Sequence, residues 1–299
     1  MPAPPAPAAG RMSIGLVGGI ATRHLRYVMR GQPIVVVGRA RPFVAGQVAA
    51  LRVVRRRRVV ARYQVPIAPL AGGGGGFTVR LPARRVGSLR LVAKHAATGQ
   101  QAAFRARSAR VRVVWWRAGA GASGTRVLLL QRTLRSLGFA TPVTGYYDAG
   151  TSRAVLAFRK TNGMARIGYA SPSVYAKVFR HEGSFRLKYP GAGKHAEFDW
   201  SRQVLALADR GRAVRVYHAS SGKASTPTVF GAFRFYSKQP GTNSHGMVDS
   251  SYFVGGYAIH GYPSVPSYPA SHGCIRIPIP NAAQVFHQIS LGERIFVYR

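Results

Sequence analysis

The sequence predicts a multidomain, mainly β protein with one small helical domain in its middle. Three observations carry this. Short alternating or β-branched runs separated by glycine and proline fill the first third. A helical spacing of leucines replaces them after residue 122. Apolar β-type runs return from about residue 194 to the end. With 299 residues and 46% hydrophobic side chains, the chain can bury more than one core.

Residues 11–116 are expected to form an all-β sandwich of immunoglobulin type. Strand-like runs fall at 33–39, 47–54, 77–81, 89–94 and 111–116, with breaks at the glycine run 72–76 and at Pro82. The basic run Arg55-Arg56-Arg57-Arg58 interrupts an alternating segment and predicts a hairpin tip or a solvated strand end. Residues 1–10, rich in Ala and Pro, read as a flexible tail. No residue of this first part calls for chemistry.

Residues 122–180 change period. Val127, Leu130, Leu134 and Leu137 share one helical face, closed by Gly138. A second helix follows Asp148 and stops at Asn162-Gly163. Ser171-Pro172 has the cap and first-turn chemistry of a third. The pattern of Gly124, Val127, Leu130, Gln131, Leu134, Leu137-Gly138-Phe139, Gly145, Asp148, Thr151, Ala154-Val155 and Phe158 resembles the three-helix peptidoglycan-binding domain. Arg159 departs from it, standing where the family usually has Gln.

Residues 194–299 are mainly β, with strands expected at 203–208, 213–218, 224–235, 247–259 and 294–298 and one helix at 281–289. This part holds the only cysteine, Cys274, inside Ser271-His272-Gly273-Cys274-Ile275-Arg276. His260-Gly261 lies upstream across a loop containing Pro263, Pro266 and Pro269. A thiol becomes a nucleophile when an imidazole takes its proton, and His260 and His272 are the candidates. His272, two residues from Cys274, would share its face if the segment were extended. Backbone N–H groups at Gly273 and Cys274 could meet a developing oxyanion. The other uses of a lone thiol are a buried small hydrophobe or, with both histidines, a zinc ligand. Neither fits the His, Gly and Arg neighbours or the ligand spacing, so no metal and no cofactor are expected.

The string H-G…S-H-G-C-I-R resembles the signature of the YkuD-type L,D-transpeptidases, and the likeness spans the last third of the chain. Ser225-Thr226-Pro227-Thr228 with Gly231-Ala232-Phe233, and residues 250–261, extend it. The resemblance implies a cysteine L,D-transpeptidase acting on a peptidoglycan tetrapeptide stem. In it Cys274 is the nucleophile and His260 the base, oriented through the Gly261 carbonyl, and His272 shapes the oxyanion region. Arg276 would meet a substrate carboxylate, and Ser271, Met247 and Tyr252 would contact substrate. Two features depart from the family: a shorter, proline-rich loop between His260 and Cys274, and an echo at Ser244-His245-Gly246-Met247 with Met in place of Cys. A thiol L,D-carboxypeptidase using water, or a non-catalytic protein binding wall or polyanion, would share these residues.

Forty-four Lys+Arg face seven Asp+Glu, a formal net charge of +37. Such a chain is drawn to polyanions. The cations are scattered, and no zinc-finger, basic-zipper or RNP-like pattern is present, so the expected partners are peptidoglycan and anionic wall polymers rather than a specific nucleic acid. No apolar run reaches the ~18 residues of a membrane span. The opening MPAPPAPAAGRM has neither the basic nor the apolar region of an export signal and resembles the segment after a cleaved one. An extracytoplasmic, monomeric protein whose gene product starts upstream is the expectation.

Overall fold

The computed structural model describes residues 6–299, which divide into two compact units, one ending at Trp116 and the other running Arg117–Arg299. Of the tail expected at 1–10, residues 1–5 lie outside the described residues. The rest is tied down rather than loose: the Ala8 N–H donates to Gln100 O, and Ala8 O accepts from Ala102 N.

In the first unit, one sheet runs β1 (Arg11–Val17), β4 (Pro33–Arg41), β8 (Gly74–Pro82) and β7 (Ala68–Leu70). The other runs β2 (Ile20–Ala21), β3 (Leu25–Met29), β11 (Arg110–Val114), β9 (Gly87–His95), β5 (Val48–Arg55) and β6 (Arg58–Pro66), with β10 (Phe104–Arg107) also on β9. Alternate residues of both sheets, among them Val36, Leu81, Leu51, Leu91 and Val113, pack into one apolar core. The basic run is the tip of the β5–β6 hairpin, where Arg56 and Arg57 take positive φ and Arg55 faces Arg58. The glycine run was expected as a break, yet Gly74–Gly76 belong to β8. The Phe77 ring covers Gly38 opposite it, and a side chain at Gly75 or Gly76 would strike Ile67 or Leu70.

The second unit begins with α1 (Thr125–Ser136), α2 (Ala149–Thr161) and α3 (Pro172–Phe179). Asp148 caps α2 by accepting the Thr151 N–H at 2.7 Å, and Ser171 caps α3. Gln131 is buried and ties the helices to the 144–146 turn: its Oε1 accepts from Thr144 N and Gly145 N, and its Nε2 donates to Tyr146 O and Thr151 Oγ1. Arg159 is also buried, donating to Ala165 O, Tyr169 O and Ser171 Oγ. It therefore binds the loop between α2 and α3, which a shorter Gln could not span so widely.

Two sheets follow. One runs β14 (Arg212–His218), β13 (Val204–Asp209), β12 (His195–Asp199), β20 (Arg294–Tyr298) and β15 (Gly231–Arg234). The other runs β16 (Ser237–Thr242), β17 (Val248–Val254), β18 (Tyr257–Tyr262) and β19 (Ile275–Pro278). A fourth helix, α4 (Ile279–Gln288), packs on β17 and β18. The strand expected over 224–235 is extended only at its end. Residues 221–230 form a loop whose hydroxyls are used elsewhere in the structure. The run 247–259 is a hairpin turning at Gly255-Gly256 rather than one strand.

The helices and the catalytic-sized sheet are joined by a short seam. Ala140 N donates to Val216 O, and Val216 N donates to Gly138 O. Deeper in, Lys160 of α2 is buried, its Nζ 2.8 Å from His218 Nδ1 and 3.0 Å from Ala219 O. His218 Nε2 in turn donates to Val265 O at 2.7 Å, so Nδ1 is the acceptor for Lys160. Burial holds Lys160 well below its ordinary range, to about 6, with Arg166 adding to the effect. Burial and the Lys160 charge likewise push His218 down, to about 3.

An unfolded chain binds the Lys160 proton more tightly than the folded one. Stability from this group is therefore complete above the ordinary lysine value and is lost as pH falls toward about 6. Denaturant unfolding of the full chain between pH 6.5 and 9.5 should show stability rising with pH, and Lys160→Met should flatten that slope by about 1 kcal/mol per pH unit. An unchanged slope in the variant would remove Lys160 from the account.

Candidate active site

The site is built on the parallel pairing of β18 and β19, with Ile259 opposite Ile275 and His260 opposite Arg276. Ile259, Ile275 and Ile277 point into the core. Side chains alternate along a strand, so His260, Arg276 and Tyr262 stand on the other face. Cys274 lies in the bend that immediately precedes β19. The thiol receives a backbone hydrogen bond from Ala258 and contacts Gly256 O at 3.8 Å. It is partly exposed, whereas the His260 ring is buried.

His260 Nδ1 lies 2.9 Å from Gly261 O. A carbonyl can only accept, so Nδ1 carries the proton and Nε2 keeps its lone pair. Gly261 has a second reason to lack a side chain: a Cβ there would lie 2.7 Å from Ala282 Cβ of α4. The Arg276 guanidinium stacks over the Tyr262 ring at 3.9 Å, and Tyr262 meets the His260 ring edge-on.

The turn that delivers Cys274 is tightly specified. Gly273 has φ +120°, and any Cβ would collide with the Tyr257 ring, so only glycine fits. Ser271 is buried. Its Oγ donates to Cys274 O at 2.6 Å and accepts the Gly273 N–H at 3.1 Å. Thr228 Oγ1 donates to Gly273 O, and Thr226 Oγ1 donates to Ser271 O. Ser221 O accepts from Ala270 N and Ser271 N, and Ser220 Oγ donates to Tyr268 O. The irregular 220–228 segment is thus a cradle for the thiol turn.

Several expectations change here. His272 does not share the face of Cys274 by alternation, because the 272–274 segment is bent at Gly273, and the His272 side chain is exposed. The Gly273 N–H, expected as an oxyanion donor, is hydrogen-bonded to Ser271 Oγ. Ser271, expected to touch substrate, spends its hydroxyl on the turn. Met247 is nearly buried at the end of the 243–247 turn, where Asn243 Oδ1 accepts from His245 N and Met247 N. Tyr252 faces Ala258 across the strands and donates to Gln239 Oε1. Among the described residues, no group of three or more His, Cys, Asp or Glu could hold a metal ion.

Residues not anticipated include Tyr257, Tyr262, the Ser220-Ser221 pair, His218 and Arg166. Arg166 donates to Ser267 O and Ser201 O, both at 2.7 Å. Alternation from His260 would have placed Tyr262 on the site face. Nothing local in the sequence points to the others.

Residues 193–297 match the YkuD L,D-transpeptidase catalytic domain, and residues 123–178 match a putative peptidoglycan binding domain. The chain is 33% identical to an L,D-transpeptidase from Xylanimonas cellulosilytica, covering 60% of this chain and 97% of that one with a TM-score of 0.55. An L,D-transpeptidase from Stackebrandtia nassauensis aligns at 20% identity over 61% of this chain and 95% of its own, with a TM-score of 0.39. No curated protein matches the chain. The chain belongs to the L,D-transpeptidase family.

The electrostatics of the pair are set by burial. Burial pushes the Cys274 thiol up, opposed by the Ala258 hydrogen bond and the Arg276 charge. Burial pushes His260 down, opposed by its bond to Gly261 and aided by Arg276. At neutral pH both groups are therefore uncharged in the resting protein. Iodoacetamide alkylation of Cys274 should be slow at pH 7 and should climb with pH to beyond the ordinary thiol value of about 8.5. A rate already at plateau at pH 7 would mean a resting thiolate and overturn this account.

Proposed function

We propose that this chain is a cysteine L,D-transpeptidase of peptidoglycan. The observation that supports this reading is the His260 ring, with Nδ1 committed to Gly261 O and Nε2 left to take a proton, on the strand paired with the one that Cys274 immediately precedes. Cys274 Sγ attacks the carbonyl of the third residue of a tetrapeptide stem as its proton passes to His260 Nε2. The bond to the terminal D-alanine breaks, and the imidazolium returns the proton to the departing amine. The product is a thioester on Cys274. An amine of a second stem then attacks it, giving a 3→3 cross-link and the free thiol. A wall-anchored protein amine would serve the same step.

Arg276 stands opposite His260 in the strand register. It favours the thiolate and offers a planar fork to a stem carboxylate. Tyr252 and Met247 flank the face along β17. Backbone N–H groups near Gly273 would reach an oxyanion only once Ser271 Oγ lets the Gly273 donor go, with His272 at the rim. The helical module holds peptidoglycan, which is consistent with its family match. The first unit is read as an immunoglobulin-type sandwich, the chain is taken to act as a monomer, and action outside the cytoplasm follows from the substrate.

Incubating the full chain with a carbapenem-type β-lactam should add one drug mass to the intact protein. Cys274→Ala should abolish the adduct, and His260→Ala should slow it about 10²- to 10⁴-fold. Arg276→Ala should slow it by roughly tenfold. Muropeptide analysis should show cross-linked dimers. Trimmed tripeptides alone would replace the transferase with a thiol L,D-carboxypeptidase, and an accessible but unreactive Cys274 would leave only a wall-binding protein.

A further inference from the structure

The seven carboxylates of the chain are unevenly placed. All lie at or after Asp148, and residues 1–147 contain none. The first unit, up to Trp116, holds twenty arginines and one lysine with no acid among them. Ordinary soluble domains mix charges of both signs. A drift toward arginine adds cations, but it does not strip half a chain of every Asp and Glu while the other half keeps seven.

The strand register gathers part of this charge on one surface. Arg52 of β5 directly faces Arg62 of β6, and Lys94 of β9 directly faces Arg105 of β10. Val92 lies between Arg52 and Arg107, so Arg62, Arg52 and Arg107 form a row across four strands. Adjacent strands sit about 5 Å apart. The intervening residues Leu51, Leu91 and Ala93 fill the core, so these five cations point outward, and all five are exposed. Arg90, on the same face opposite Val54, has its Nε buried without a hydrogen-bond partner. Like charges directly opposed across strands destabilise a sheet. This sheet carries three such pairs, counting Arg55 opposite Arg58 at the hairpin tip, with no carboxylate of its own unit to relieve them.

We propose that the outward face of β5, β6, β9 and β10 binds a phosphodiester-linked anionic polymer of the cell wall, of the teichoic type. The choice of a wall polymer rests on the peptidoglycan function proposed above. A phosphodiester presents two unesterified oxygens, which can accept from guanidinium groups on two neighbouring strands at once, and its charges repeat along a flexible chain. The face offers a polymer charge without base readout. Its outward positions on these strands carry no aromatic ring for stacking bases, and among the described residues the first unit has no helix to enter a groove.

The test uses the full chain and synthetic poly(glycerol phosphate), with binding measured across a salt series. Wild type should bind with an affinity that falls steeply with salt. The variant Arg52→Gln/Arg62→Gln/Arg105→Gln/Arg107→Gln should bind at least about tenfold more weakly, with a log–log salt slope smaller by roughly 3. A control of equal charge change on the other sheet, Arg11→Gln/Arg39→Gln/Arg41→Gln/Arg80→Gln, should lose less than about threefold. The first variant should unfold at the same or a higher temperature, since opposed like charges are removed.

Equal losses in the two variants would mean diffuse attraction and overturn the assignment of a face. Tighter binding of an oligothymidylate, a polygalacturonate or anionic lipid vesicles would overturn the phosphodiester polymer in favour of that ligand. Carbapenem acylation of Cys274 should be the same in wild type and both variants. Loss of acylation in wild type with polymer binding intact would sink the catalytic proposal alone. Acylation with no polymer binding would sink this one alone.

Discussion

The parallel pairing of β18 with β19 is the constraint on which the rest of the catalytic unit depends. Parallel neighbours cannot be joined by a tight turn, so residues 263–274 must leave one end of the sheet and return to the other. That return delivers Cys274 to the start of β19, next to the strand that carries His260. The proline-rich loop is long because the topology requires it. The cradle of Ser220, Ser221, Thr226 and Thr228 exists because a loop of that length must be pinned for the thiol to have one position.

Burial then decides the chemistry of the pair. It raises the thiol and lowers the imidazole, so neither charge is stored at rest. In the proposed reaction the charges appear together, as the sulfur meets the carbonyl. Arg276 is positioned to favour the anion that forms, and its stacking on Tyr262 keeps the guanidinium over the face rather than out in solvent. The hydrogen bond to Gly261 O does what a carboxylate does elsewhere. It fixes the tautomer and orientation of the His260 ring, the proposed base, without adding a negative charge next to it.

The helical module and the thiol loop are physically continuous. Lys160 of α2 reaches Val265 through His218, and Arg166 reaches Ser267 directly. Two carbonyls of the loop between His260 and Cys274 are therefore held from a module that matches a peptidoglycan-binding family. Strand pairing supplies one end of the loop, and the helices supply the middle. The positive charge of the chain is divided differently. The carboxylates that balance it are confined to the second unit, where Glu197 and Asp199 are buried in hydrogen bonds, and the first unit is left wholly cationic.

Helical period and capping chemistry were readable in the sequence because both are local: Asp148 and Ser171 cap the helices they precede, and the leucines of α1 face inward. The β5–β6 hairpin tip at the arginine run and the thiol with its histidine were also legible, since each rests on residue type and short spacing. What only the tertiary structure decided is which groups meet. The bend at Gly273 turned His272 away, and Ser271 Oγ claimed the Gly273 N–H. Residues 224–230, the first part of the strand expected over 224–235, became a cradle because the Thr226 and Thr228 hydroxyls bond the thiol turn. Alternation along a strand predicts a face only while the backbone stays extended. A single glycine at positive φ, or a hydroxyl arriving from far along the chain, changes the partner without leaving a periodic mark in the sequence.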